Sequence, residues 1–377
     1  YITFYLETFN GIFRLRLQSK SGILIHSFRN MHLNTVAVLV LCVIQRCTTC
    51  DFRFDYTTTV HGKREVNEYY DVKQITITSH NTFGVTIENE YIPTLCCEVF
   101  NLKLDVEYII FDNCWIEHIE EECFSQKVQH ITSRIAIINN KLTSIKSGTF
   151  TNLKVLSIDL KNNLIEVIEN ESFVNLTSLM FLDLSINNLR TFNPKVFLNV
   201  PNLGTLMLQS NRIESLESNA LYFFRKDHSR LDMKCNELTY IDKNVLGGMI
   251  SENFYLELHN NKLSSLPAGI FDHHSFSVID VGQNPLKNVS KQFCSRNCTV
   301  QDFNFNCAGM DMESMGQTVE NIGNWVEENH VNLYTDDYCS FNTSAQMVNV
   351  GWSTCNGVRG VEGTWFWIYL GILVILF

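Results

Sequence analysis

Asp272, His273 and His274 form the most metal-like cluster of side chains in the 377-residue sequence. Carboxylate and imidazole groups bind Zn²⁺, but its usual sites draw three or four ligands from spaced positions. Because these three residues are consecutive and follow an apolar Phe271, we interpret them as a solvated loop. The sequence also lacks the G-x-S-x-G, H-E-x-x-H, P-loop and G-x-G-x-x-G patterns. We therefore expect no catalytic residue, metal or cofactor, and a hydrolase or metal enzyme remains the rival class.

Other carboxylates recur at a fixed place in an internal repeat. Nine frames can be aligned at spacings of 23 to 26 residues, with positions counted so that an asparagine is usually ninth. The ninth residues are Glu90, Cys114, Asn140, Asn163, Asn187, Asn211, Asn236, Asn261 and Asn284. Positions 4, 6 and 11 are apolar throughout, and most frames carry phenylalanine at position 19. Agreement at several offsets indicates a repeat architecture.

The spacing of the apolar positions predicts one short strand and one turn per repeat. Side chains at positions 4 and 6 point inward and those at 3, 5 and 7 outward, and the chain then turns so that position 11 returns to the core. The amide at position 9 can both donate and accept, so it can satisfy backbone groups of adjacent turns. We predict that the seven asparagines form a ladder. One repeat cannot bury its own apolar face, so its neighbours must stabilise it.

The stretches "FDNCWIEHIEEECF" and "LMFLDLSINNLRTFNPKVF" resemble repeats of Toll-type receptors and insect surface proteins. The resemblance to extracellular leucine-rich-repeat proteins covers roughly residues 82–290. It implies an α/β repeat solenoid, a horseshoe whose concave parallel sheet is on the order of 40 Å long at ~4.8 Å per strand. Cys114 matches an alternative that the repeat pattern allows, and we interpret it as a small buried thiol.

The outward positions of the stacked strands would form rows along the concave sheet. Position 5 carries five carboxylates in eight frames, and position 3 adds aromatic and arginine side chains, which are typical of protein recognition. Alternatively, aspartate at position 5 belongs to the repeat consensus. The predicted concave binding surface comprises Tyr108, Arg134, Asp159, Phe181, Asp183, Met207, Arg230, Asp232, Tyr255, Glu257 and Asp280.

The ends of the solenoid need caps. Residues 51–81 contain "KQITITS", which could cover the first repeat. Residues 291–355 resemble the cysteine-rich C-terminal flank of the family, with paired cysteines and a helix carrying Trp325. The disulfide candidates are Cys96, Cys97, Cys123, Cys294, Cys298, Cys307, Cys339 and Cys355. Cys123 could pair with Cys96 or Cys97, and the other pairings stay open. Cys235 could bridge to another chain or remain a thiol.

Two apolar segments and the cysteine count favour a secretory protein. Residues 31–50 have the layout of a signal peptide, which leaves 1–30 as a leader or gene-model artefact; a signal anchor is the alternative. Residues 356–377 resemble a lipid-attachment signal or a short transmembrane helix. The 13 cysteines indicate an oxidising compartment. Glycosylation sequons occur at Asn170, Asn175, Asn288, Asn297 and Asn342.

These patterns predict a protein-binding glycoprotein with roles such as adhesion, ligand capture or immune recognition. The net charge of −11 argues against nucleic acid as the partner. We expect the partner to be another extracellular protein or a second copy of the chain, and the membrane to be reached through the C-terminal segment. A freely secreted binding protein is the alternative.

Overall fold

The computed structural model describes residues 3–9, 12–19, 22–29, 57–60, 63–66, 75–76, 84–95, 107–120, 123–124, 131–290, 292–307, 312–335 and 347–349. The chain divides into two compact units, Tyr1–Phe54 and Asp55–Phe377. The predicted signal peptide and C-terminal anchor segment lie outside the described residues.

The first unit contains a three-stranded antiparallel sheet. Its strands are Thr3–Phe9, Ile12–Ser19 and Gly22–Arg29. They pair in sequence order, with Phe9 opposite Ile12 and Ser19 opposite Gly22. The middle strand, "IFRLRLQS", alternates apolar and polar residues, which is the pattern of a strand with two different faces.

The second unit is a parallel-sheet solenoid, as predicted. Among the described residues, the nine predicted repeats supply nine neighbouring parallel strands of the concave sheet. The strands are Gly84–Glu88, Tyr108–Asp112, Arg134–Ile138, Ser157–Asp159, Phe181–Asp183, Thr205–Met207, Arg230–Asp232, Phe254–Glu257 and Ser275–Asp280. We number the turns of the solenoid 1 to 9 by these strands.

Short parallel strands also form one side of the solenoid, where positions 10 to 15 lie, and we call this side the flank. They are Thr94–Leu95, His118–Ile119, Ser144–Ile145, Val167–Ile168, Ser215–Leu216, Tyr240–Ile241, Ser265–Leu266 and Asn288–Val289. On the convex side, Phe150–Thr151, Phe173–Val174 and Phe197–Leu198 form a third small sheet. A 3-10 helix, Pro194–Val196, precedes the last of these strands.

Phenylalanine side chains fill the convex half of the core. Phe124, Phe150, Phe173 and Phe197 stack from turn to turn, with ring centroids 5.0, 5.3 and 5.6 Å apart. Each is buried, and burying one such side chain contributes about 1.5–3 kcal/mol. The repeated phenylalanine at position 19 therefore forms a continuous apolar spine.

The side chains at position 9 connect successive turns. In turn 5, Asn187 Oδ1 accepts from the Ile165 N–H of the preceding turn at 3.0 Å. Its Nδ2 donates to the carbonyls of Leu160 and Leu184, both at 3.0 Å. Equivalent bonds recur at Asn140, Asn163, Asn211, Asn236, Asn261 and Asn284. Each asparagine thus satisfies backbone groups that the strand-to-turn transition leaves buried and unpaired.

Additional strands extend the sheet at both ends. Ile75–Thr76, within the predicted N-terminal cap, pairs antiparallel with the strand of turn 1. Thr57–Val60 and Lys63–Val66 form a separate hairpin. At the other end, three further parallel strands follow turn 9, in the order Thr299–Asn304, Asn332–Thr335 and Met347–Asn349.

A helix and a disulfide close the C-terminal end of the core. The helix is Met312–Asn329. Its buried Trp325 packs 4.6 Å from the Phe293 ring, centroid to centroid, and donates from Nε1 to the Cys294 carbonyl at 3.1 Å. Cys294 is disulfide-bonded to Cys298. This cap covers apolar side chains that the last repeat would otherwise expose to water.

We predict that Asn187→Ala lowers the free energy of unfolding by about 2–3 kcal/mol, because Ile165 N–H and two carbonyls lose their buried partner. The matched control is Asn188→Ala, one residue away at a half-buried position, which we expect to change it by less than about 1 kcal/mol. Chemical denaturation followed by circular dichroism measures both. Equal effects would contradict the role assigned to position 9.

Candidate binding surface

The sheet register brings the predicted surface residues into two rows on the concave face. Position 3 side chains lie directly opposite one another from turn to turn, as in the pairs Phe181 with Thr205 and Arg230 with Tyr255. Position 5 forms the second row, with Asp159 opposite Asp183 and Asp232 opposite Glu257. Side chains that are 24 residues or more apart in sequence thus become neighbours on one surface.

The two rows differ in exposure. Position 3 residues are half-buried in turns 2 to 9, and they are Tyr108, Arg134, Ser157, Phe181, Thr205, Arg230, Tyr255 and Val278. The position 5 aspartates are buried, with Asp159 at 5 %, Asp183 at 8 %, Asp232 at 1 % and Asp280 at 8 % exposure. Met207 and Glu257 are half-buried exceptions in that row. Position 3 therefore offers more side-chain surface to a partner than position 5 does.

Each buried aspartate accepts a hydrogen bond from a backbone N–H of its own turn. Asp183 Oδ1 accepts from Ser185 N–H at 2.8 Å, and Asp232 Oδ1 accepts from Lys234 N–H at 3.1 Å. Asp159 and Asp280 make the same contact two residues onward. The alternative interpretation was that aspartate at position 5 belongs to the repeat consensus. This interpretation has a physical cause, because the carboxylate accepts from a backbone N–H where the chain leaves the strand.

A cluster of four charged side chains lies across turns 7 and 8. The Nη2 group of Arg230 donates to both carboxylate oxygens of Glu257, at 2.9 and 2.8 Å. Lys234 Nζ lies 3.3 Å from Asp232 and 3.3 Å from Glu257. Burial raises the pKa of Glu257, but Arg230 and Lys234 outweigh it and hold that pKa below its ordinary value. Burial and the negative charge of Glu257 raise the pKa of Asp232 to about 7, so the cluster holds two cations, one ionised carboxylate and one carboxyl that is partly protonated at neutral pH. Lys234, at position 7, was not among the residues predicted from sequence.

A second acidic site lies in turns 4 and 5. Asp159 pairs with the guanidinium of Arg134, whereas its neighbour Asp183 relies on backbone contacts. Burial and the negative charge of Asp159 raise the pKa of Asp183 from 3.8 to about 6. The N–H of Ser185 opposes this shift only in part. Asp183 therefore carries a charge that the folded state disfavours at neutral pH.

The other candidate residues take different places. Asp272 accepts from the Ser295 and Arg296 N–H groups at 2.7 and 3.0 Å, and the described residues contain no group of three potential metal ligands. Asn170, Asn175 and Asn297 are exposed. Asn288 begins a flank strand. Asn342 lies outside the described residues.

The cysteines divide into thiols and disulfides. Cys114 is a buried thiol, and the thiol of Cys123 donates to the Leu95 carbonyl at 3.5 Å. Both partners suggested for Cys123 lie outside the described residues, so that pairing stays a prediction. Cys235 and Cys307 are each disulfide-bonded, as are Cys294 and Cys298. The structure therefore gives no support to an unmodified thiol at Cys235. The candidates that lie outside the described residues are Cys96, Cys97, Cys339 and Cys355.

The stacked parallel strands, the asparagine ladder and the phenylalanine spine together define a parallel-sheet solenoid with the architecture of a leucine-rich-repeat horseshoe. Comparison with known proteins agrees, since the leucine rich repeat family model matches residues 132–189.

Several known proteins resemble the repeat region. The chain is 30 % identical to mouse podocan over 177 residues, which are 46 % of the chain and 27 % of podocan. It is 26 % identical to Japanese quail lumican over 230 residues, 53 % of the chain and 66 % of lumican. It is 33 % identical to rat leucine-rich repeat-containing G-protein coupled receptor 5 over 140 residues, 36 % of the chain and 14 % of the receptor. The chain thus spans only part of each relative's length.

The described residues contain no helix that is both long and apolar enough to cross a membrane.

We predict that lowering the pH from 8 to 5 stabilises the wild type relative to Asp183→Asn. The folded state keeps a proton on Asp183 up to about pH 6, whereas the unfolded chain releases it near 3.8. The stabilisation from this group is therefore complete below pH 3.8 and is lost as the pH rises through 6. Denaturation midpoints of both proteins at each pH measure it, with Glu214→Gln as an exposed control. A difference between the two proteins that does not vary with pH would contradict the assignment.

Proposed function

We propose that this chain is an extracellular protein-binding leucine-rich-repeat glycoprotein, which contacts its partner through the concave face. Adhesion, ligand capture and immune recognition are roles consistent with such binding. The observation that carries the proposal is the row of half-buried position 3 side chains on a rigid parallel sheet. Phe181, Arg230 and Tyr255 belong to residue types that dominate binding energy at interfaces.

The rigidity of this surface supports a binding role. Position 3 side chains stand on strands whose neighbouring positions 4 and 6 are buried in the core. Arg230 is held by two bonds to Glu257, so little of its conformational freedom remains to be lost on association. A surface ordered before binding gives affinity at a smaller entropic cost than a flexible loop does.

The extracellular setting rests on the sequence and on the relatives. The signal-peptide layout of residues 31–50, the cysteine count and the sequons each favour the secretory pathway. The receptor among the relatives fits a place at the cell surface. We further propose that the segment 356–377 tethers the protein to the membrane, by a lipid or by a short spanning helix.

We predict that Phe181→Ser combined with Tyr255→Ser weakens binding of the extracellular partner at least 10-fold, because two aromatic anchors are lost. The partner is first captured on immobilised wild-type protein, and its Kd is then measured against each purified variant. Tyr240→Ser, an exposed change on the flank, is the matched control. Unchanged affinity in the double variant would contradict binding of the partner through the concave face.

We predict that a phosphatidylinositol-specific lipase releases the protein from intact cells, as expected of a lipid-anchored chain. Immunoblotting of medium and membrane fractions with and without the lipase measures the release. Retention after treatment would indicate a spanning segment. Recovery in the medium without treatment would contradict the tether and support a secreted protein.

A further inference from the structure

Exposed apolar side chains are concentrated on the flank of turns 1 to 4. Position 10 of these turns carries Tyr91, Trp115, Lys141 and Leu164, and Val167 lies three residues beyond the last. Exposure is 64 % for Tyr91, 46 % for Trp115, 45 % for Leu164 and 56 % for Val167. Position 10 of turns 5 to 8 is instead polar or charged, with Asn188, Arg212, Glu237 and Lys262. The apolar side chains therefore form a local patch, which we call the aromatic flank.

Trp115 has an unusual backbone for so large a residue. Its φ is +59°, in the left-handed region, whereas the residues with positive φ in the other turns' strand-to-turn segments fall at position 8. Bulky side chains rarely adopt this conformation, because the Cβ crowds the carbonyl oxygen. The chain thus places a tryptophan with an unfavourable backbone conformation at the surface. Turns 5 to 8 carry a polar or charged residue at the same position.

The strain follows from the cysteine at position 9 of turn 2. In later turns, the N–H at position 11 donates to the asparagine Oδ1 of the next turn, as Ile165 does to Asn187 at 3.0 Å. Cys114 has no such oxygen. The N–H of Ile92 therefore donates to the backbone carbonyl of Cys114 at 2.9 Å. Turning this carbonyl towards turn 1 accompanies the left-handed conformation of Trp115.

Cys114 still donates to backbone carbonyls, as the asparagine amide does in later turns. Its Sγ lies 3.3 Å from the carbonyls of Ile87 and Asp112, so the thiol donates where an amide would. Burial raises the pKa of Cys114 to about 11, which keeps the thiol protonated at neutral pH. Turn 2 is therefore a stable variant of the ladder that displays Trp115.

The charges beside the aromatic flank indicate the chemistry of its partner. Glu117 and Glu166 are exposed at position 12 of turns 2 and 4. The one nearby cation in the position 10 row, Lys141, places Nζ 3.6 Å from the centroid of the Trp115 ring. Its charge is thus directed onto the ring face. Arg190 is exposed at position 12 of turn 5, the turn after that of Glu166, so Glu117 and the net charge of −11 are what attract a basic partner.

We propose that the aromatic flank, formed by Tyr91, Trp115, Leu164 and Val167, is a second protein-docking surface, separate from the concave face. Its occupant is an extended protein segment that presents apolar and basic side chains. The four turns place these residues along about 15 Å at ~4.8 Å per turn, the length of roughly five extended residues. Apolar contacts supply affinity, and Glu117 with the net negative charge selects basic segments over acidic ones.

The probe is a fluorescent 12-residue peptide of alternating leucine and lysine, titrated into the full-length protein by anisotropy. We predict that Trp115→Asn weakens its binding at least 10-fold, although the charge of the protein is unchanged. The same substitution should leave the thermal midpoint equal or higher, since asparagine tolerates a positive φ. Tyr91→Ser should weaken binding as well. Tyr240→Asn, at an equally exposed flank tyrosine of turn 7, should have no effect.

Three results would overturn the proposal. If Trp115→Asn and the wild type bound the peptide equally, net charge alone would account for the interaction. Equal affinity for a leucine–glutamate peptide would remove the selection for basic segments. Dimerisation of the wild type that Trp115→Asn abolishes, seen by analytical ultracentrifugation, would make the occupant a second copy of the chain. Phe181→Ser should not alter peptide binding, so failure here is distinguishable from failure of the concave-face proposal.

Discussion

Every turn of this solenoid must pair backbone groups that lie inside the protein at the point where the strand ends. The asparagine at position 9 does so by accepting from the preceding turn and donating to carbonyls of both turns, as Asn187 does. A buried N–H without a partner costs about 1–3 kcal/mol. Repeated over seven turns, this one contact fixes the strand spacing and register, and with them the rows of side chains on the concave face.

The same need to pair backbone groups determines which side chains on the concave face are exposed. Aspartate at position 5 accepts a hydrogen bond from the N–H two residues onward. This contact keeps four side chains buried, those of Asp159, Asp183, Asp232 and Asp280. The position 3 side chains and the exceptions Met207 and Glu257 are half-buried and so keep surface that a partner could contact. The acidic row predicted from sequence thus serves in large part to pair backbone donors, while the aromatic and arginine side chains beside it are more exposed and form the contact surface that we propose.

The regular parts of the molecule could be predicted because they obey a period. Leucine at positions 4, 6 and 11 and asparagine at 9 were enough to place the strands and to align Phe181 with Arg230 and Tyr255 in one row. Burial of individual carboxylates could not be predicted, since exposure depends on hydrogen bonds two residues away. Lys234 was missed because residues were compared along the stack only at positions 3 and 5, although position 7 was also predicted to point outward. The display of Trp115 was missed because it follows from an atom that Cys114 lacks.

Turn 2 shows how a single missing acceptor changes the surface of a repeat. A structure of the Cys114→Asn variant tests the central claim that the position 9 side chain sets the backbone of its turn. We predict that the introduced side-chain oxygen accepts from Ile92 N–H, that the carbonyl of residue 114 turns away, and that φ of Trp115 becomes negative. A φ that stays near +59°, with the bond from Ile92 to the backbone carbonyl intact, would contradict it.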